Sequence, residues 1–155
     1  MEANNFMKPK YVPYKKRPRK KSKVSKLTGK PKTILSKEKK KCWTAFSIYI
    51  RSSAADKDGI AECVTCGVRK PWKKLQAGHF VPGRGNAILF DERGVHPQCF
   101  ACNVYKKGNP RSYDRYMRMT YGNQVVDEID ELSTTTRKYT IEELQKLTAY
   151  YQNKV

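Results

Sequence analysis

The chain is short of acid. Against 33 lysines and arginines it carries 14 aspartates and glutamates, which leaves a formal charge of +19 over 155 residues. A surface this basic attracts polyanions through counterion release, which points to nucleic acid first and an acidic membrane second. Apolar residues are scarce as well: 38% of the chain is hydrophobic and the mean hydropathy is −0.81, leaving little for a large core. No run is long and apolar enough to span a bilayer, and the first residues lack the apolar centre of a signal peptide. A soluble, intracellular protein is therefore expected. Histidine occurs only twice, at His79 and His96.

Cysteine is sparse too, five in all, yet four of them come as two Cys-x-x-Cys pairs, Cys63 with Cys66 and Cys99 with Cys102. Each pair can present two thiolates to one ion from a tight turn, so together they predict a tetrahedral structural zinc site. Such an ion would supply stability that burial does not. Two disulfides are the competing reading, disfavoured by the missing secretion signal. Cys42 is the odd one and reads as a small core residue on a predicted helix.

Residues 1–32 hold twelve lysines or arginines, one acid and four prolines, a composition that cannot offset its chain entropy. The expectation is a disordered basic arm that tracks phosphates, with Lys15, Lys16, Arg17, Arg19, Lys20 and Lys21 at its centre. A solubilising tail or a localisation tag is the alternative. Residues 33–155 read as one zinc-containing domain. Ser36 can cap a helix through about Ala54, with Cys42, Phe46, Tyr49 and Ile50 on one face; Trp43, beside that stripe, reads as core. Asp56 to Gly59 form a turn into the first cysteine pair.

Leu75 to Val81 suits a short strand, followed by a loop over Pro82, Gly83, Arg84, Gly85 and Asn86. A second extended piece is expected at Ile88 to Phe90 or close to Val95, then a short helix over Phe100 to Lys106 that ends at Gly108, Asn109 and Pro110. Two strands and a helix with zinc pinning the ends make a ββα-metal arrangement over about 63–108, in an α+β fold with flanking helices. Downstream, Tyr113, Tyr116, Met117 and Tyr121 share one helix side, with Gly122 as a stop and Asn123 as the next cap. Val125, Val126, Ile129 and Leu132 follow as an apolar stripe. Thr140 with Glu143 is a capping-box pair opening a stripe of Ile141, Leu144, Leu147 and Tyr151. These stripes pack on the core or form a homodimer contact; the sequence leaves both open.

The ordered set CVTC, AGHF, FDERGVHPQCFACN and KKGN, with VVDEID and YTIEEL beyond it, resembles the NinG (Rap) family of lambdoid-phage recombination proteins. The resemblance runs from about Ser36 onward. More distantly the core is similar to the HNH, or His-Me finger, nucleases and to phage endonuclease VII. That implies a structure-specific endonuclease for branched DNA such as Holliday junctions and D-loops, working in the host-cell cytoplasm. It also implies roles: His79 as general base, and Asn103 as an oxygen ligand to a catalytic Mg²⁺ or Mn²⁺.

Elementary chemistry agrees with those roles. Phosphodiester hydrolysis needs a base to activate water and a cation to neutralise the phosphate and the departing oxygen. A neutral imidazole serves as the first near pH 7, and an amide oxygen suits a hard ion. Structural readings stand beside them: His79 bonded only to backbone or ligating zinc, Asn103 capping a helix. Two positions depart from the HNH pattern, Gly78 before the base and Gly94 before the second cysteine pair. His96, two residues past Gly94, could orient His79 or ligate the catalytic ion, or be a buried structural histidine. Asp91 and Glu92 are further candidate ligands or solvated surface acids. Arg84, Lys106, Lys107 and Arg111 could hold phosphates. No element reads as a base-reading recognition helix, so shape rather than sequence should be recognised. A non-catalytic zinc module that binds nucleic acid is the reading from a different class.

Overall fold

The computed structural model describes residues 33–155; the basic arm expected over residues 1–32, including Lys15, Lys16, Arg17, Arg19, Lys20 and Lys21, lies outside the described residues. Helix α1 spans Ile34–Ser53. Its cap is Thr33 rather than Ser36: the extended backbone of Thr33 lets its Oγ1 accept from the Ser36 N–H at 3.2 Å. The Ser36 hydroxyl turns back onto the Thr33 carbonyl at 2.8 Å, which places Ser36 inside the first turn. One face of α1 buries Cys42, Ala45, Phe46 and Ile50.

Two antiparallel hairpins follow. Strands β1 (Ile60–Glu62) and β2 (Arg69–Pro71) pair Ile60 with Pro71 and Glu62 with Arg69 around the first cysteine pair. They are three residues each and mostly exposed, too short and polar for a periodicity signal. Strands β3 (Gln76–His79) and β4 (Val95–Gln98) form the second hairpin. Of the two placements expected for the second strand, the one close to Val95 is found, while Ile88 to Phe90 is a run of turns, with the Ile88 N–H on the Gly85 carbonyl at 3.2 Å and the Asp91 N–H on the Ile88 carbonyl at 3.2 Å. Leu89 and Phe90 enter the core from those turns; a short apolar run buries equally well from either backbone.

Register fixes the faces of the second hairpin. His79 lies opposite Val95 and Ala77 opposite Pro97, while Gly78 lies opposite His96 and Gln76 opposite Gln98. Directly opposed residues share a face, so His79 and His96 point to opposite sides. Ala77 and Val95 join α1, Leu89, Phe90, Tyr139, Leu144 and Tyr151 in the main core. On the other side lies α2 (Pro110–Ser133), which breaks at Gly122 where φ is 82° and ψ 168°, the stop that glycine predicts. The Tyr113 hydroxyl of α2 donates to the Gly78 carbonyl at 2.8 Å. Helix α3 (Ile141–Gln152) opens on the expected capping box: the Thr140 N–H donates to Glu143 Oε2 at 2.7 Å and the Glu143 N–H to Thr140 Oγ1 at 3.2 Å. The helix expected over Phe100 to Lys106 is a single π-type turn, Ala101–Tyr105, closed by the Lys106 N–H on the Ala101 carbonyl at 2.9 Å. Among the described residues, no helix is long and apolar enough to cross a membrane.

Gly78 is required by its neighbour. A Cβ there would sit 2.1 Å from Oε1 of Gln98, whose fully buried side chain crosses the strand to reach Thr65 Oγ1 at 3.2 Å and the Gly108 carbonyl at 2.7 Å. Gly78→Ala should therefore lower stability by about 1–3 kcal/mol through overpacking, and less in a Gln98→Ala background. Chemical denaturation of the four proteins of that cycle measures it; an equal loss in both backgrounds would mean that Gln98 is not the obstacle.

Candidate metal centre and active-site cleft

Two tight turns bring the four cysteines together. The Cys63 carbonyl accepts from the N–H groups of Cys66 at 3.2 Å and Gly67 at 2.8 Å, and Gly67 takes the positive φ of 74° that closes the turn. In the second turn the Cys99 carbonyl accepts from the Asn103 N–H at 2.9 Å. All four sulfurs lie within 4.8 Å of one another, with Cys66 Sγ and Cys99 Sγ 3.8 Å apart. Tetrahedral zinc with bonds of about 2.3 Å sets sulfurs roughly 3.8 Å apart, whereas a disulfide would bring them to about 2.05 Å. Four close cysteines of this kind could hold a structural metal such as zinc.

The surroundings suit thiolates. Thr65 Oγ1 lies 3.3 Å from Cys63 Sγ, and Asn109 Nδ2 donates to Cys102 Sγ at 3.8 Å. Burial acts to raise the Cys63 thiol, but hydrogen bonds from Thr65 and from the Cys99 and Thr65 backbone outweigh it and bring the value to about 6. Burial pushes Cys66 up to about 12, helped by hydrogen bonds shared with Cys63, Cys102 and Cys99. With protons alone, one sulfur of the cluster ionises at the expense of the next; a divalent ion lets all four do so.

His79 closes β3 and is half-buried. Trp43 of α1 stacks on it, ring centroids 5.0 Å apart and planes 17° from parallel. Its Nε2 lies 3.3 Å from the Leu89 carbonyl, and because a carbonyl only accepts, Nε2 carries the proton and Nδ1 the lone pair. Burial lowers the imidazole from 6.5 to about 4, with the Arg84 charge acting in the same direction. The ring is thus a neutral base at physiological pH. Asn103, in the π-type turn beside Cys102, donates from Nδ2 to Gln76 Oε1 at 2.7 Å. That bond commits the donor end of the amide and leaves its oxygen as the end able to ligate.

A cleft of about 390 Å³ lies beside Asn103, lined by Trp43, Arg51, Gln76, Ala77, Arg84 and Asn103 among others and by no carboxylate. Arg84, held at a φ of 51°, lays its guanidinium 4.7 Å from the centroid of the Trp43 ring. Trp43 therefore contacts both Arg84 and His79. Of the residues singled out from sequence, Asn103 and Arg84 reach this cleft and His79 borders it through Trp43.

The others are elsewhere. His96 is 8% exposed, donates from Nε2 to the Arg93 carbonyl at 2.9 Å, and packs among Tyr113, Tyr116 and Tyr121 at 5.1 to 6.0 Å. The hairpin separates it from His79, so it does not orient that ring, and it lines a different cavity. Asp91 is paired with Arg93 at 2.9 Å, and Glu92 accepts from the Tyr49 hydroxyl at 3.0 Å. Lys106, Lys107 and Arg111 are exposed around the second cysteine turn. Three contributors were not legible beforehand. Trp43 reads as ordinary core, Gln76 carries no motif, and Arg51 donates to the Leu75 carbonyl at 3.1 Å from a helix face that looks merely solvated. The one available hint was strand period two, which puts Gln76 on the Gly78 side of β3.

A family model described as Bacteriophage Lambda NinG protein matches residues 5–155. The Protein ninG of Escherichia phage 933W is 32% identical over 136 residues, covering 87% of this chain and 63% of that protein. For Escherichia phage lambda the identity is 32%, covering 87% and 62%; for Salmonella phage P22 it is 32%, covering 87% and 63%. The chain thus spans less than two thirds of the length of these curated relatives. No solved structure matches it.

Two measurements test this geometry. Elemental analysis should find one zinc per chain, and Cys66→Ser or strong chelation should release it and collapse the cooperative thermal transition; an unchanged transition in metal-free protein contradicts the site. NMR titration of the two imidazoles should place both midpoints below 6.5, His79 near about 4. The unfolded chain then binds the protons first, so His79 contributes stability that is present above about 6.5 and is lost as pH falls towards about 4. A His79 midpoint between 6 and 7 contradicts its burial.

Proposed function

The chain belongs to the NinG family of phage proteins, and we propose that it is a metal-dependent endonuclease that cuts branched recombination intermediates such as Holliday junctions and D-loops. The observation that carries this reading is the neutral imidazole of His79, its Nε2 held by the Leu89 carbonyl, stacked on Trp43, whose ring lines a cleft with arginine as its only charged lining. In this reading β3, β4 and the π-type turn are the ββα-metal core of a His-Me finger nuclease.

The division of labour follows from the residues. Phosphate enters the cleft because Arg51 and Arg84 are its only formal charges. His79 takes the proton of the attacking water at Nδ1, while the Leu89 carbonyl and the Trp43 face fix its tautomer and ring plane. A hard divalent ion, Mg²⁺ or Mn²⁺, would neutralise charge on the phosphate and departing oxygen when bound. Asn103 would hold it through Oδ1, with Gln76 setting the rotation of the amide. Since this lining has no carboxylate, the anionic ligands must come from the DNA. The four cysteines take no part in the reaction and hold the Asn103 turn against β3.

The lack of a carboxylate also favours the second reading, a non-catalytic zinc module that binds nucleic acid through its basic surface. On either reading the arm over residues 1–32 adds salt-dependent affinity and the protein works in the host-cell cytoplasm. Paired cuts across a junction would suit a homodimer. Cleavage of a four-way junction with Mg²⁺ by wild type, lost by at least a hundredfold in His79→Ala while zinc content and junction affinity stay within twofold, is the expected result. Equal cutting by wild type and variant, or none by wild type with Mg²⁺ or Mn²⁺, leaves the binding module as the answer.

A further inference from the structure

The turn that carries Asn103 also carries three apolar side chains that are left exposed among the described residues. Phe100 is 49% exposed, Val104 46% and Tyr105 76%, and the two rings meet edge to face with centroids 5.3 Å apart. A chain so poor in apolar residues has little reason to leave an aromatic pair in water unless something else covers it. The mount is rigid. Phe100 follows Cys99 directly, the Asn103 N–H is bonded to the Cys99 carbonyl at 2.9 Å, and the Gly108 N–H to the Cys102 carbonyl at 2.9 Å. Val104 reaches both places, since it also lines the cleft that holds Asn103. Two exposed lysines, Lys106 and Lys107, follow Tyr105, and Lys107 sits at a φ of 50°.

We propose that Phe100 and Tyr105 form a stacking platform for unpaired bases at the branch point of the DNA, with Lys106 and Lys107 on the adjoining phosphates. The inference rests on the endonuclease reading only for its placement beside the cut; as a binding surface it stands alone. An aromatic ring accepts any base face, but in continuous duplex those faces are already stacked. They are exposed at a fork, flap or junction, so this platform rewards branching without reading sequence. A second copy of the chain is the rival occupant. The lysines argue against it, because a two-fold contact through this patch would bring like charges together.

The test uses full-length, zinc-loaded His79→Ala protein, which binds whether or not the wild type cuts. A forked DNA carries 2-aminopurine at the unpaired position next to the branch, and a linear duplex carries it paired, both at one fixed salt concentration. Quenching at the fork and none in the duplex is expected. Adding Phe100→Leu with Tyr105→Leu should abolish the quench and reduce the ratio of duplex to fork Kd by about fivefold or more, whereas Phe100→Tyr with Tyr105→Phe keeps both. No quench with the aromatic platform intact overturns the proposal. So does an unchanged Kd ratio in a leucine variant that retains its zinc, or a shift from dimer to monomer when the rings are removed. Should the leucine variant lose zinc, the quench by the parent protein decides alone.

Discussion

Four sulfur atoms meet where one structural metal ion could join parts of the chain that share little apolar contact. Cys66 and Cys99 are 33 positions apart, yet their sulfurs lie at 3.8 Å, and among the described residues the apolar side chains buried with Cys63, Cys99 and Cys102 are Ala61 and Leu75, with Ala55, Val68 and Trp72 partly buried against them. Hydrophobic burial on that scale cannot by itself fix the first hairpin and the two cysteine turns. Ligation can, because the binding free energy of the ion becomes folding free energy. Gln98 reinforces the clamp by joining Thr65 of the first cysteine turn to Gly108 beyond the second. The consequence for chemistry is positional: Asn103, bonded through its backbone to Cys99 and through its side chain to Gln76, is set against the strand that ends in His79.

Charge divides the work differently. The chain as a whole is strongly cationic, with a net +19, and the cleft continues that sign inward with Arg51 and Arg84. A bare divalent ion gains little from such a lining, since one amide oxygen is a weak attraction against two guanidinium groups. Phosphates reverse the balance. In the proposed reaction the ion and the DNA therefore bind together, and His79, kept neutral by burial with Arg84 opposing its protonation, is ready as a base throughout.

Local signals were legible in the sequence and long-range ones were not. The cysteine turns, the Thr140–Glu143 capping box and the break at Gly122 depend on a few adjacent residues, and each stands where the spacing put it. The hairpin that carries His79 was harder, because Ile88, Leu89 and Phe90 look like a strand and are buried from turns. Its register, which sends His79 and His96 to opposite faces, is set by pairing across the sixteen-residue separation between His79 and Val95, which no local pattern encodes. Trp43 packs against the main core as its place beside the apolar stripe suggests, but its stacking on the ring of His79 is a tertiary contact that no local pattern encodes. Gly78 departs from the HNH pattern at the position before the base, and a Cβ there would have to displace the buried Gln98 side chain.

The account turns on whether the ion and the phosphate meet at Asn103. Paramagnetic Mn²⁺ added to the zinc-loaded His79→Ala protein on junction DNA reports this directly through NMR line broadening. Selective loss of the Asn103 side-chain amide signal, together with the backbone signals of Gln76 and Ala77, is the predicted result. Broadening confined to acidic positions such as Asp114 and Asp127 of α2, with those cleft signals intact, would contradict it.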